Sequence, residues 1–289
     1  MSDQRHEQPK ASRARVIGGW WPPAVGASVF GLITAFELDR TGATREIFFN
    51  VHQPWAVYVM LSVLLGLLVY AFGRHASLWA LGQPTPGLRE QVAVRVRHLL
   101  RLGLAQEKIR RDRYAAVMHW CIFSSMVVLT FVTAQVAIDD DLSLHFLEGP
   151  YYLFFSFYGD LFGVIGLVGV GMALYRRYID DFHRIRWDER LEDHVIIVGL
   201  GVILLSGFWL ESLRIAATEI EQQPDWAVWS FASYGIALGL RAFSLSEATL
   251  LSIHVWSWWS HLIVAMGWLG LIVFTKLDHI FFAPVNAYL

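Results

Sequence analysis

The sequence has a single cysteine, Cys121, among its 289 residues. One thiol excludes an intramolecular disulfide framework and an iron–sulfur cluster held by four thiolates of this chain. Charged residues are also scarce, at 17% of the chain, whereas soluble domains carry about 25%. The net charge of −2 leaves no strongly basic domain, so the composition gives no indication of nucleic-acid binding.

Hydrophobic residues are abundant instead, at 55%, with 13 tryptophans, 10 tyrosines and 19 phenylalanines. A helix needs roughly 20 apolar residues to cross about 30 Å of hydrocarbon. Five segments meet this requirement, at about 48–72, 115–137, 151–175, 195–212 and 252–275. The sequence therefore predicts an all-α, multi-pass membrane helix bundle.

A sixth apolar segment, about 16–36, follows a basic leader and contains Pro22 and Pro23. A signal peptide and an uncleaved anchor helix are the competing interpretations. The proline pair and the absence of a small-x-small cleavage site favour the anchor. We expect residues 1–42 to form a leader with an extra transmembrane helix, and residues 43–289 to form the main membrane domain.

The positive charges predict the orientation of the bundle. With six spans, 19 of the 23 Lys and Arg residues fall on the side of both termini and 4 fall on the opposite side. The positive-inside rule then predicts cytoplasmic termini in a bacterial cytoplasmic membrane.

The inner connection 74–113 contains a basic stretch, Leu88 to Arg113, that we expect to be helical. It is interpreted either as a solvated amphipathic helix or as a docking surface for a cytoplasmic partner.

The outer segment 226–240 is apolar but too short to cross the bilayer, so we expect an interfacial or re-entrant helix.

Histidines within spans or at their ends are functional candidates because polar groups are costly there. Five of the 11 histidines qualify: His52, His119, His254, His261 and His279. Four others lie in water-facing inner segments and are interpreted as surface residues: His6, His75, His98 and His183.

The histidine spacing in the last span favours haem. His261 and His279 are 18 residues apart, which is five helical turns, so we expect them on one face about 27 Å apart. His254 falls near the same stripe, and His119 lies at the inner depth of His279. Two stacked b haems need this arrangement, since each iron takes one imidazole from each of two helices. A packing or proton-relay role is the alternative.

Acidic residues within the spans are rarer than histidines. Asp160 is the single acid well inside a predicted span, in its outer half. It is interpreted as a proton acceptor at a quinol site or as a structural hydrogen-bond partner. Glu211 and Arg214, at the outer end of the next span, belong to the same site or pair with each other.

Two stretches resemble the gamma subunit of respiratory nitrate reductase, a dihaem cytochrome b. YAAVMHWCIFSSMVVL, 114–129, resembles its first haem-ligating helix, with His119 at the first ligand position. WWSHLIVAMGWLGLIVFTKLDHIFFAPVNAY resembles its last helix. The matching residues there are His261, Thr275, Lys276, His279, Ile280 and Pro284. The resemblance implies His119 and His279 as ligands of the inner haem and His261 as a ligand of the outer haem.

A closer resemblance, over about residues 43–289, is to the membrane domain of bacterial heterodisulfide reductase-like iron–sulfur proteins. The motifs are ATREIFFNVHQPW, HASLWALGQPTPG, RDRYAAVMHW, ALYRRYI, SGFWLESLRIAATE and SEATLLSIHVWSWWSHL. Many relatives continue into a cysteine-rich, cluster-binding domain, whereas this chain has one cysteine. The resemblance therefore implies a separate cytoplasmic iron–sulfur subunit, or a chain that is a fragment.

The sequence departs from the nitrate reductase pattern at one position. That subunit has a second histidine ten residues after the first, where this chain has Leu129. The outer haem then needs another partner for His261, with His52 as first choice and His145 or His254 as alternatives. Two haems b are expected, and a single haem is the alternative.

The sequence as a whole predicts an oxidoreductase subunit that carries electrons between menaquinone or ubiquinone and the iron–sulfur partner. Two other functions stay open. One is the cytochrome b subunit of a hydrogenase- or formate-dehydrogenase-type complex. The other is a haem-free membrane anchor for a soluble reductase.

Overall fold

The computed structural model describes residues 42–83, 91–180 and 191–288. The helices of these ranges follow in chain order: α1 (Trp55–Ala80), α2 (Val92–His98), α3 (Arg113–Asp141), α4 (Gly149–Tyr178), α5 (Leu191–Gln222), α6 (Pro224–Ala227), α7 (Phe231–Ala242), α8 (Glu247–Gly270) and α9 (His279–Tyr288). Five of them, α1, α3, α4, α5 and α8, are long and apolar enough to cross a membrane. The predicted all-α bundle and its five spans are confirmed. The sixth predicted span, 16–36, lies outside the described residues.

The two ends of the bundle are named here after the predicted orientation. The outer end carries the last residue of α3 and the first residue of α4, Asp141 and Gly149. The inner end carries the opposite ends of the same helices, Arg113 and Tyr178. Which end faces the cytoplasm stays a prediction from the charge distribution.

Helices α3, α4 and α5 pack closely because glycines line the facing side of α4. A Cβ at Gly169 would lie 2.8 Å from Ile122 Cγ1 of α3, and one at Gly163 would lie 2.7 Å from Phe208 Cζ of α5. Both distances are too short for a real side chain. Small residues at helix contacts let membrane helices approach, so α4 forms the centre of the bundle.

The inner end is covered by short elements where the sequence predicts a helix from Leu88 to Arg113. Within the described part of that stretch, α2 is followed by a π-helical turn, Leu99–Leu104, and by a 3₁₀ turn, Ile109–Arg111. One reason that a single helix does not form is Gln106, whose φ of +50° is left-handed. The π-helical turn and α2 both pack against α9.

Asp112 fixes the start of α3 next to this covering layer. Its carboxylate accepts a hydrogen bond from the Ala115 N–H at 3.1 Å and pairs with Arg176 of α4. The hydrogen bond from Arg176 holds the pKa of Asp112 below its usual range, aided by the one from Ala115. The contribution of Asp112 to stability is therefore present above the carboxyl's unfolded-state pKa and is lost as the pH falls through its lower folded-state pKa.

The outer end is covered by residues 42–54 and by α7. The first segment runs from α4 to α8, since the Gly149 N–H donates to Ala43 O at 2.6 Å and Asn50 Nδ2 donates to Leu251 O at 2.8 Å. Helix α7 has 12 residues, roughly 18 Å at 1.5 Å per residue, and is too short to cross, as predicted. Its buried Ala237 and Leu240 pack in one apolar cluster with the outer half of α5.

The helix predicted to carry both His261 and His279 is interrupted after the last span, so the prediction that they share one helical face is wrong. Helix α8 ends at Gly270, and Thr275 is extended, with φ −128° and ψ 177°. Contacts from α5 hold the interruption. The Glu192 carboxylate accepts from the Lys276 N–H at 2.5 Å, and Lys276 Nζ lies 2.8 Å from Asp193 Oδ1.

Candidate functional site

His119 lies at the inner end of the bundle, roughly 9 Å into α3. Its half-buried ring places Nδ1 3.0 Å from Gln106 Oε1. Gln106 is itself buried and is held in the left-handed conformation described above. Non-glycine residues adopt this conformation at a cost and concentrate at functional sites, as do π-helical turns. The inner covering layer therefore positions the His119 ring.

His279 begins α9 at the same end of the bundle. Its Nδ1 lies 2.6 Å from the Lys276 carbonyl oxygen, and its ring is exposed. His279 and His119 therefore lie at the same end of the bundle, and the interruption before α9, not helical periodicity, places His279 there.

His261 lies near the middle of α8, facing α5. Its Nδ1 is 2.8 Å from Ser206 Oγ, and Ser206 in turn donates to the Ile203 carbonyl at 3.1 Å. The ring is half-buried between the two helices. His261 is therefore held by a fixed partner within the span.

The three rings of His119, His261 and His279 share one arrangement. In each, Nδ1 contacts an oxygen of a second group, so Nε2 is the ring nitrogen left for a ligand. Histidines that bind metals are held in this way, because the second hydrogen bond fixes the tautomer and the ring orientation. The chemistry of these residues fits axial ligation of haem iron. Among the described residues, no group of three or more His, Cys, Asp or Glu side chains forms a site for a bare metal ion.

The candidate partners of His261 in the outer half differ in burial. His52 is exposed in the segment before α1, and His145 is exposed with its Nδ1 2.8 Å from Ser143 O. His254 is buried, packs edge-on against Phe49 at 5.6 Å, and leaves Nδ1 without a hydrogen-bond partner in the described ranges. His254 shares its helix face with His261, and residues on one face cannot approach an iron from opposite sides. It is therefore excluded as the partner of His261.

Glu211 and Arg214 pair with each other, which was the alternative interpretation of these residues. Arg214 Nη2 lies 2.7 Å from Glu211 Oε1, and Arg214 Nη1 contacts the buried Glu219. Arg45 of the outer segment adds a third contact, 3.3 Å from Glu211 Oε2. Tyr152 also accepts a hydrogen bond from Arg214. This outer ion cluster ties residues 42–54, α4 and α5 together. The sequence analysis missed Arg45 and Glu219, although both lie in the motifs quoted above.

Asp160 is buried and accepts three hydrogen bonds from the start of α7. Its Oδ2 accepts from the N–H groups of Ala232 at 2.7 Å and Ser233 at 3.0 Å, and its Oδ1 accepts from Ser233 Oγ at 2.8 Å. Asp160 lies roughly 16 Å along α4 from its outer end, so α7 begins near the middle of the span. These bonds are those of the structural interpretation of Asp160, and they attach the start of α7 to α4.

An apolar cleft of about 200 Å³, called the outer cleft, opens beside the start of α7. It is lined by Val164, Leu167, Leu205, Phe208, Trp209, Ala232 and Ile236. Asp160 lies behind it, because the N–H that Ala232 donates is bound by the Asp160 carboxylate. Trp209 reaches α8 by donating to Ser257 Oγ at 3.1 Å, one turn before His261. The cleft thus has one wall residue bonded to Asp160 and another bonded to the helix that carries His261.

His75 was interpreted as a surface residue, and this interpretation is wrong. Helix α1 extends to Ala80, so His75 lies within it and stacks on Phe282 of α9 with ring centroids 3.7 Å apart. The hydropathy of the sequence ends the span near residue 72 and gives no sign of this packing.

Comparisons with known proteins identify the family of the chain. The family profile of the nitrate reductase gamma subunit matches residues 115–289, which include all three rings. The chain is 29% identical over 252 residues to an EtfAB:quinone oxidoreductase of Syntrophomonas wolfei, covering 84% of this chain and 34% of that protein. It is 25% identical over 255 residues to the probable iron-sulfur-binding oxidoreductase FadF of Bacillus subtilis, covering 84% and 32%. The chain therefore spans about a third of the length of these relatives. No solved structure matches.

Proposed function

The chain belongs to the nitrate reductase gamma subunit family, and we propose that it carries electrons through b haems between the quinone pool and an iron–sulfur partner. Membership makes it a multi-pass membrane subunit of an oxidoreductase. The proposal adds the haems, the quinone and the partner. The observation that carries it is the shared arrangement of His119, His261 and His279, in each of which Nδ1 contacts an oxygen and Nε2 is left for a ligand.

Two haems b are proposed, and their iron supplies one-electron transfer when bound. The inner haem would be held by His119 of α3 and His279 of α9. The outer haem is held by His261, with His52 as the proposed second ligand because it comes from a different segment of the outer end. Asn50 supports this choice, since its bond to Leu251 brings the segment that carries His52 onto α8.

The iron–sulfur partner is proposed to contact the inner end of the bundle, on the cytoplasmic side of a bacterial membrane. Arginines and a lysine follow α2 there, among them Arg101, Lys108, Arg110 and Arg111. Such a surface attracts an acidic partner. The two relatives are named for quinone and for iron–sulfur binding, which supports a partner of heterodisulfide reductase type.

Quinone, as menaquinone or ubiquinone, is proposed to react in the outer cleft. Its walls are apolar and it opens toward lipid, since Leu205 and Ile236 are exposed. Quinol oxidation releases two electrons and two protons. Asp160 is the proposed acceptor of one proton, and the outer surface near Asp140 and Asp141 is the proposed route of release. Glu211 lies near Asp160 and is proposed to take part through its charge.

The haem content decides between this proposal and a haem-free membrane anchor. We expect a b-type α band in the reduced-minus-oxidised spectrum of the purified chain. Pyridine haemochrome analysis should give two haems per chain. A result of one haem per chain would be consistent with the proposed inner haem and would contradict the proposed outer haem. A protein without an α band after expression with haem supplementation would be an anchor, and the proposal would fail.

Asp160→Asn is expected to slow quinol-linked reduction of the haems at least about tenfold at neutral pH while both haems are retained. Asparagine keeps the hydrogen bonds, because its oxygen accepts from the two N–H groups and its NH₂ donates to Ser233 Oγ. It removes only the titratable proton. The rate should be measured from pH 6 to 8 by stopped-flow absorbance.

Asp160→Leu is the matched comparison, because it removes the proton and the bonds that hold α7. It should also lower the melting temperature, whereas Asp160→Asn should not. Full turnover of the Asn variant across this pH range would show that Asp160 is a structural partner of α7 and no proton acceptor.

A further inference from the structure

Helix α2 exposes a row of apolar side chains at the inner end of the bundle. Val92, Val96 and Leu100, called the α2 stripe, are 47, 39 and 50% exposed. Their four-residue spacing places them along one side of α2 and of the π-helical turn that continues it. A row of exposed apolar side chains is unfavourable in water, so the α2 stripe is a candidate contact surface.

Basic side chains lie beside the α2 stripe. Arg97 follows Val96, about 100° around the helix, and it is exposed. Within residues 42–83, 91–180 and 191–288 no carboxylate pairs with it. Arg101 lies one turn further along the same side, and the Glu107 carboxylate accepts two hydrogen bonds from it at 2.8 and 3.0 Å. A helix with an apolar stripe next to exposed cations is typical of helices that lie in a membrane surface and contact anionic lipids.

Packing contacts place α2 close to the inner end of a membrane span. The helix and its π-helical turn pack on α9, where a Cβ at Gly103 would lie 3.8 Å from Pro284 Cα. Phe282 of the same α9 packs against Trp79 in the last turn of α1, with ring centroids 5.7 Å apart. Tryptophans concentrate where membrane spans meet the lipid headgroups. The α2 stripe therefore lies one helix away from the level of the headgroups.

We propose that the α2 stripe binds anionic phospholipid at the inner end, with Val96 and Leu100 against the acyl chains and Arg97 on the headgroup phosphate. An acidic protein would match the charge of Arg97 but not the apolar row beside it, whereas a phospholipid matches both. The surface is separate from the one proposed for the iron–sulfur partner, which includes Arg110 and Arg111 after the π-helical turn. Lipid bound at α2 would hold the inner covering layer against the membrane.

Fluorescence quenching by brominated lipids tests the proposal on the full chain in bilayers of equal phosphatidylglycerol and phosphatidylcholine. The probe is a bimane on Val96→Cys, in a chain from which Cys121→Ala removes the other thiol. Bromination of the phosphatidylglycerol chains should yield a relative association constant about five times that of phosphatidylcholine, the ratio expected for one basic charge at an anionic surface. A bimane on His98→Cys, on the opposite side of α2, should be quenched little by either lipid.

Arg97→Gln in the labelled chain should bring this ratio close to one. Arg111→Gln, an exposed arginine of the same end, is the matched control and should leave the ratio unchanged. An equal effect of the two variants would overturn the site, because lipid would then respond only to the overall charge of the inner end.

A bimane on Leu100→Cys is the second probe and should give the same ratio as the one on Val96→Cys. Equal quenching by the two lipids at both positions would overturn the proposal, since the α2 stripe would not select anionic lipid. Quenching by neither lipid would also overturn it, because protein would then cover the stripe. Haem content of the same samples is measured separately. A missing α band would refute the proposed function and would leave the lipid result standing.

Discussion

Replacing His119 with alanine is expected to remove one haem per chain and to abolish electron transfer to the inner end. The ring is the α3 contribution to the inner pair, and its Nδ1 is already held by Gln106. Without it, the iron would keep one axial imidazole in an apolar site and bind poorly. Pyridine haemochrome analysis should fall from two haems to one, and the low-spin signal of the remaining haem should persist in electron paramagnetic resonance spectra.

Gln106→Asn is the matched comparison for that experiment. Asparagine tolerates the left-handed backbone at this position, but its shorter side chain cannot reach His119. Loss of a second-layer partner typically costs about 10–100-fold in metal affinity, so this variant should retain its haem but lose it more readily to an apo-haem acceptor. Unchanged haem content and spectra in His119→Ala would refute the assignment of His119.

Replacing Arg214 with leucine is expected to destabilise the outer end by about 3–5 kcal/mol. Arg214 is buried and is the shared partner of Glu211 and Glu219. Its removal leaves Glu219 as a buried carboxylate without its guanidinium partner, and such charges are far costlier than a lost surface pair. Thermal unfolding of the detergent-solubilised protein should show a lower midpoint, and the yield from membranes should fall.

Arg241→Leu provides the control for this prediction. Arg241 pairs with Glu221 close to the same end, but both side chains are substantially exposed, so about 1 kcal/mol or less is at stake. Equal melting temperatures for the two variants would contradict a stabilising role for the outer ion cluster. A double variant that also replaces Glu219 with glutamine should recover part of the loss, because the unpaired buried charge is removed.

The spans can be predicted from the sequence because they depend on local properties. Hydropathy and length determine whether a helix crosses the bilayer, and both are averages over about 20 residues. Helix α7 follows from the same reasoning, since its apolar run is too short to span. Charge and hydropathy also predict that His119 and His279 lie at the same end of the bundle, which the structure shows, and their pairing stays a proposal.

The interruption before α9 and the packing of His75 depend on contacts between distant segments. Thr275 is extended, and the N–H of the next residue donates to the carboxylate of Glu192 on another helix. The local sequence at 271–279 cannot predict this contact. His75 is half-buried and stacks on Phe282, more than 200 residues away in the chain. Gln106 was missed for the same reason, because its role depends on a left-handed backbone that brings it to His119.

Because α8 ends before α9 begins, an insertion within α8 and an insertion between the two helices should have different effects on the structure. Inserting one residue within α8 before His261 would rotate every preceding side chain by about 100° relative to that ring, and the helix could not keep both its outer contacts and Ser206. An insertion near Phe274 instead falls between helices, where no continuous hydrogen-bond ladder transmits the rotation. We therefore expect a one-residue insertion near Phe274 to be tolerated better than one within α8 before His261.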